Sequence, residues 1–318
     1  MPFVIFVLME PSPNKHIYTG IALAVLATII WSGNFIVARG VTAQIGPISL
    51  AFFRWLTATL IIAPFAWKSF MREKEIIFRN RKYLFWAAIS GIALFNTFVY
   101  IAGHYTSAIN LALIGTTSSP IFSTIMAVVF LKEKMTAGRL VGFLFCLTGV
   151  IFLVSKGSLS TLAAFRFSKG DLWVIAGALA FVVYSILVRK KPPEISPLSF
   201  LFVLFAAGAS MLLIPFLVEQ SQSLPIKWNL SLAAIIFYLG AGASVLSFLC
   251  WNMALHRLGA ARTVLFGNLI PIFSVWEAVV FLQEKITSIH LISGGLVITG
   301  LLIANMKKKA PSPVAAVD

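Results

Sequence analysis

Ten stretches of the chain stay apolar for about twenty residues at a time, the length an α-helix needs to cross a bilayer at about 1.5 Å per residue. They fall at roughly 17–37, 48–67, 83–103, 107–131, 138–155, 170–188, 197–217, 231–255, 261–282 and 288–306. Lipid offers no partner to a free backbone amide, so every crossing must be a helix or part of a closed barrel. Barrel strands would be about ten residues long with alternating polarity; these runs are longer and uniformly apolar. Of 318 residues, 59% are hydrophobic and 11% are charged, against about 25% charged in a soluble protein. The expected fold class is all-α integral membrane, with ten transmembrane helices.

The formal net charge of +15 would suggest nucleic acid in a soluble protein. Here the basic residues lie between apolar runs, where they act as orientation signals, and no nucleic-acid partner is expected. With ten spans both termini share a side. That side carries eighteen Lys and Arg residues, with groups at 68–82, 132–139, 189–191 and 307–309. The other side carries six: Arg39, Lys156, Arg166, Lys169, Lys227 and Lys285. The excess places both termini in the cytoplasm, and the expected location is the cell inner (plasma) membrane. Arg54 is left inside the second span. The opening MPFVIFVLMEPSP is a poor signal peptide, since no basic segment precedes its short apolar run and no small-residue cleavage site follows. Cys146 and Cys250 each lie in an apolar run and read as small hydrophobes.

The chain repeats itself. PIFSTIMAVVFLKEKMT begins at Pro120 and PIFSVWEAVVFLQEKIT at Pro271, 151 residues later, with twelve of seventeen positions identical. The same offset pairs Pro64 with Pro215, Glu133 with Glu284, Lys134 with Lys285 and Gly149 with Gly300. An offset of 150 pairs Gly20 with Gly170 and Pro47 with Pro197. The expected organisation is a tail at 1–16, a five-helix repeat at 17–155, a connection at 156–169, a second repeat at 170–306 and a tail at 307–318. Five is odd, so the second repeat enters the membrane from the opposite face. Inverted repeats suit alternating access, because exchanging the conformations of the halves opens the site to either side.

Two five-helix halves, WSGNFIVAR at Trp31–Arg39, Arg54 in the second span, and Pro…Phe-Leu-x-Glu-Lys-x-Thr closing the fourth and ninth spans resemble the drug/metabolite transporter superfamily, specifically its EamA-type members. The resemblance covers nearly the whole chain. It implies a basket-like bundle around a central substrate cavity, and export of amino acids or related metabolites, with other small solutes in some relatives.

Polar groups in a bilayer are costly, so they either tie helices together or line a path. Trp31 and Asn34 share one face of the first span, Asn96 and Tyr100 one face of the third, and Ser244, Ser247, Phe248 and Trp251 form a stripe on the eighth. Tyr184 aligns with Asn34 across the repeat. With Arg54, Asn268 and Trp276 these give the expected substrate cavity: Trp31, Asn34, Arg54, Asn96, Tyr100, Tyr184, Trp251, Asn268 and Trp276. Each polar member also reads as an interhelical tie, worth about 0.6 kcal/mol. Arg54 would hold a carboxylate or snorkel outward. Glu277, opposite Met126 in the other half, would carry a proton or meet a cationic group, or else tie helices. On a regular helix Glu277 and Asn268 point about 180° apart, so they share a cavity only if Pro271 reshapes the helix. Pro120 and Pro271 are expected to bend their helices. Glu133 and Glu284, each followed by Lys134 or Lys285, read best as interfacial anchors that pair locally, with a gate charge as the alternative.

His104, His256 and His290 lack metal-like spacing, so no metal or cofactor is expected. No catalytic motif or ATP-binding loop is present. The expected function is a secondary transporter, taking a small-molecule solute and contacting membrane lipid, for which a monomer suffices. A carrier for drugs, nucleotide sugars or other metabolites is the alternative within transport. A membrane-embedded lipid-modifying enzyme is the alternative outside it, and would need an acidic or histidine cluster that the sequence lacks.

Overall fold

The computed structural model describes residues 13–131, 137–158, 168–222, 225–258, 263 and 266–305. Ten helical segments account for most of these residues. In the first half they are α1 Pro13–Gly40, α2 Pro47–Arg79, α3 Arg81–Gly103, α4 Ala108–Leu131 and α5 Ala137–Val154. In the second they are α6 Lys169–Arg189, α7 Pro197–Gln222, α8 Leu230–Leu258, α9 Gly267–Leu282 and α10 Ser288–Asn305. Six of them, α1, α2, α3, α6, α7 and α8, are long and apolar enough to span a membrane; the other four contain shorter apolar stretches. Phe65, Ile214 and Leu230 are more than 70% exposed, as side chains that face hydrocarbon would be.

Local chemistry sets the helix starts. Pro47 opens α2, where its fixed φ suits the first turn and no amide is lost. The Ser168 hydroxyl accepts from Asp171 N and the Asp171 carboxylate accepts from Ser168 N, closing a capping box on α6. The Asn229 side chain accepts from Leu232 N at 2.8 Å and starts α8.

The two halves pack as inverted twins. Helix α2 lies against its repeat partner α7, and α5 against α10. Other contacts come in matched sets: α1 packs on α8 as α6 packs on α3, and α1 packs on α9 as α6 packs on α4. The partners run antiparallel. Glu219, near the end of α7, meets Ser49 at the start of α2, and Glu73, near the end of α2, meets Ser196 at the start of α7.

The α5–α10 seam shows the pseudo-two-fold most closely. The Ser293 hydroxyl donates to Gly149 O at 2.8 Å, and a Cβ built on Gly300 would lie 2.6 Å from Gly142 O. The 151-residue offset exchanges these two contacts. Cys146 Sγ lies 3.6 Å from Val297 O, a pair the offset maps onto itself. Apolar burial cannot drive helices together in lipid, so small residues that let backbones approach do this work.

Helix α2 continues twelve residues past its expected end at position 67. The extra turns are held rather than free, since Ile77 is buried and Glu73 bonds to Ser196. Helices α3 and α8 are each interrupted by a π-helical stretch, Ile89–Leu94 and Tyr238–Leu246, at repeat-equivalent places. Such stretches loosen the backbone ladder and recur at functional sites. In α8 the Ser244 and Ser247 hydroxyls donate to carbonyls five residues earlier, Leu239 O and Gly242 O.

Pro271 does not bend a helix midway. It sits in the first turn of the α-helical part of α9, after a 3₁₀ turn at Gly267–Leu269, where it breaks no hydrogen bond. Helix α4 continues through Pro120, whose side chain lies outside the described residues. Glu133 and Lys134 also lie outside them.

Candidate functional site

Three consecutive residues of α1, Ser32, Gly33 and Asn34, face three neighbours in turn, because each step rotates the helix by about 100°. Asn34 faces Arg54 of α2. The Arg54 guanidinium is buried, with 4% exposure. Its Nε donates to Ser244 Oγ at 2.9 Å. One terminal nitrogen donates to Asn96 Oδ1 at 2.8 Å, to Tyr100 Oη at 2.9 Å and to Asn34 Oδ1. The Tyr100 hydroxyl in turn donates to Asn34 Oδ1 at 2.9 Å. The guanidinium carbon also stands 4.7 Å from the Trp55 ring centre. All these partners, drawn from α1, α2, α3 and α8, are neutral.

Ser32 faces the opposite charge. Its hydroxyl donates to Glu277 Oε1 at 2.7 Å. The other carboxyl oxygen, Oε2, is buried and has no hydrogen-bond partner among the described residues. Between these groups, Tyr238 of α8 lies against Gly33, where a Cβ would collide with its hydroxyl oxygen. That hydroxyl donates to Ile30 O at 2.6 Å. Only glycine at position 33 allows this approach.

The structure therefore brings Asn34, Arg54, Asn96 and Tyr100 into one cluster. Trp31 adjoins it through α8: its indole N–H donates to Ala243 O at 3.1 Å, and its ring meets Trp251 at 5.2 Å and Phe248 at 5.6 Å. Tyr184 is buried against Gly91 of the π-helical stretch in α3. Asn268 is half-buried in the 3₁₀ turn that opens α9, ahead of the regular helix on which it would oppose Glu277.

Trp276 does not join them. It is 60% exposed, because Glu277 turns toward α1 and the preceding residue is then rotated outward. Where the sequence led to the expectation of a wet central cavity, the Arg54 side chain lies buried among Asn34, Asn96, Tyr100 and Ser244. Ser32 and Tyr238 were not anticipated. Ser32 carries a visible signal, a small hydroxyl in the same turn as Trp31 and Asn34.

The repeat-motif glutamate does not pair locally. Gln283 takes a left-handed conformation, φ 55°, at the end of α9. The chain then delivers the Glu284 carboxylate to the start of α4. There Oε1 accepts from Ala108 N at 2.8 Å and Oε2 from Ile109 N at 3.1 Å. Unpaired amides at a helix start favour a carboxylate. Glu219 caps α2 in the same way, accepting from Ile48 N and Ser49 N.

Beside Glu284 a cavity of about 430 Å³ opens at the end of the bundle where α3 meets α4 and α9 meets α10. Arg39, His104, Thr106, Ser107, Lys285 and His290 line it with Tyr105 and Glu284. Partial burial lowers the His104 pKa below the ordinary imidazole value; Arg39 pushes the same way and Glu219 opposes. Among the described residues no three His, Cys, Asp or Glu side chains converge as a metal site requires.

The EamA-like transporter family model matches residues 18–155 and 168–306, one match to each half. The chain belongs to the EamA-like transporter family. Similar proteins include an "Uncharacterized transporter" of Archaeoglobus fulgidus, 28% identical over 90% of this chain and 97% of its own length. The "Uncharacterized transporter YyaM" of Bacillus subtilis is 27% identical over 92% and 94%. A "Probable terminal-alkyne amino-acid exporter" of Streptantibioticus cattleyicolor is 26% identical over 59% of this chain and 61% of its own. One solved crystal structure superposes with a TM-score of 0.58 at 17% identity, covering 92% of this chain and 96% of that one, a likeness of fold. As an EamA-family member the protein is a membrane-embedded transporter and not an enzyme.

Proposed function

We propose that this transporter exports amino acids or closely related small metabolites by alternating access between its two inverted halves, in the cell inner membrane with both termini cytoplasmic. The buried Arg54, whose partners among the described residues are all neutral, carries the reading. A buried charge is costly unless it is paired, so the cluster is electrostatically incomplete until an anionic group enters it. A solute carboxylate completes it and displaces the bonds to Asn34, Asn96 and Tyr100. Glu277, with one carboxyl oxygen unsatisfied, offers the opposite charge to an ammonium group or takes a proton. Tyr238 stands between the two and moves aside when both are engaged. The partly matching amino-acid exporter supports the same solute class.

The repeat-equivalent π-helical stretches, one in each half, are the loosened backbone that flexes as the halves exchange conformations, together with α4 near Pro120. Comparing metabolites released by cells with and without the protein identifies the solute. The purified protein in liposomes should then move that solute without altering it. Product formation without flux would overturn the reading.

A further inference from the structure

We infer that the cavity beside Glu284 is a second, surface-facing binding site for a small organic carboxylate, separate from the buried Arg54 cluster. By the charge count it lies on the outer face. The proposal gives the transport route an outer station. Its purpose rests on the transport reading, but its binding does not.

The hydrogen-bond inventory of the lining points to an anion. Glu284 is the lining carboxylate, and both its oxygens are occupied by amides of α4. Among the described residues it forms no ion pair with Arg39 or Lys285, so its single charge stands against two unpaired cations in the lining. Arg39 gives one bond to Gly103 O at 3.2 Å, which leaves most of its five N–H donors for a ligand. Lys285 is exposed and has no hydrogen-bond partner among the described residues.

The neutral groups also present donors. His290 Nδ1 accepts from Thr287 N at 3.1 Å, so in the neutral ring the proton sits on Nε2. Thr106 Oγ1 accepts from Asn110 Nδ2 at 3.3 Å, and Ser107 Oγ accepts from Asn110 N at 3.2 Å. Each hydroxyl still has a proton to donate. Two cations, an imidazole N–H and two hydroxyls thus line one cavity whose carboxylate is already engaged. About 430 Å³ lies within the range of small-molecule sites and exceeds what a lone chloride needs. A carboxylate matches the flat donor fork of Arg39.

The test uses purified full-length protein in detergent with ring-¹³C-labelled histidine. The chain has four histidines, so each resonance can be assigned by single substitution. Acetate replaces chloride at fixed ionic strength. The His104 and His290 resonances should move together and saturate, while those of His16 and His256 stay put. Lys285→Gln breaks none of the described hydrogen bonds and should weaken the apparent affinity by about tenfold, the scale of one charge-assisted bond. Arg39→Gln should do the same or more. The proposal is overturned if neither His104 nor His290 shifts saturably, if all four histidines shift in parallel, or if both folded variants bind acetate as the parent does. No flux is measured, so failure of this site and failure of the export reading are told apart.

Discussion

Arg54→Gln, reconstituted in liposomes, should carry a carboxylate-bearing solute about a hundredfold more slowly than the parent protein, with Arg54→Lys falling between. The estimate follows from the cost of removing one partner of a buried, hydrogen-bonded charge pair, about 2–5 kcal/mol. Arg54 supplies the positive charge that the solute would meet, and its Nε and terminal nitrogen reach oxygens on three other helices. Lysine keeps the charge but replaces the planar fork with a point donor, so it cannot hold α1, α3 and α8 in the same arrangement. Glutamine leaves Asn96 without its Arg54 donor and Asn34 with the Tyr100 hydroxyl alone, so the folded state must be verified by size-exclusion elution and helical circular dichroism. A folded Arg54→Gln protein that moves solute at the parental rate would remove Arg54 from the transport path.

Glu277→Gln tests the other charge. The glutamine carbonyl can still accept from the Ser32 hydroxyl, which now bonds to Oε1 at 2.7 Å. Helices α1 and α9 therefore keep their tie. What disappears is the ability to bind and release a proton at the buried, unpartnered Oε2. If the carboxyl carries protons, an imposed pH gradient should drive uptake in the parent and have no effect in the variant. Parent flux that ignores the gradient, or a variant that responds as the parent does, would contradict proton coupling through Glu277.

Much of the architecture was legible because lipid enforces it. Uninterrupted apolar runs and an internal repeat that covers both halves left few arrangements open, and the antiparallel pairing of α2 with α7 is the one that odd-numbered halves require. The cluster of Asn34, Arg54, Asn96 and Tyr100 was legible for a related reason. Polar side chains in a bilayer gather on interior faces, and helical spacing shows which face each one occupies.

Other features depended on how separate segments meet. The link from Glu284 to Ala108 spans 176 residues and needs the left-handed turn at Gln283, which no local pattern announces. Tyr238 looks like one more aromatic in an apolar run until α8 is laid against Gly33. Trp276 was misplaced because its helical phase was unknown until Glu277 was seen against α1. Residues 68–79 read as a cytoplasmic loop because they are highly charged, yet Glu73 and Ile77 hold them helical against the rest of the bundle.

The central claim is that the two halves thread the membrane in opposite senses. Cysteines placed at Lys82, in the first turn of α3, and at Lys227, in the connection between α7 and α8, test it most directly. Both positions are exposed, and the native Cys146 and Cys250 are buried and can be replaced by alanine. A membrane-impermeant maleimide added to intact cells should label the cysteine at 227 at once and the cysteine at 82 only after permeabilisation. Labelling of both from the same side would contradict the inverted arrangement.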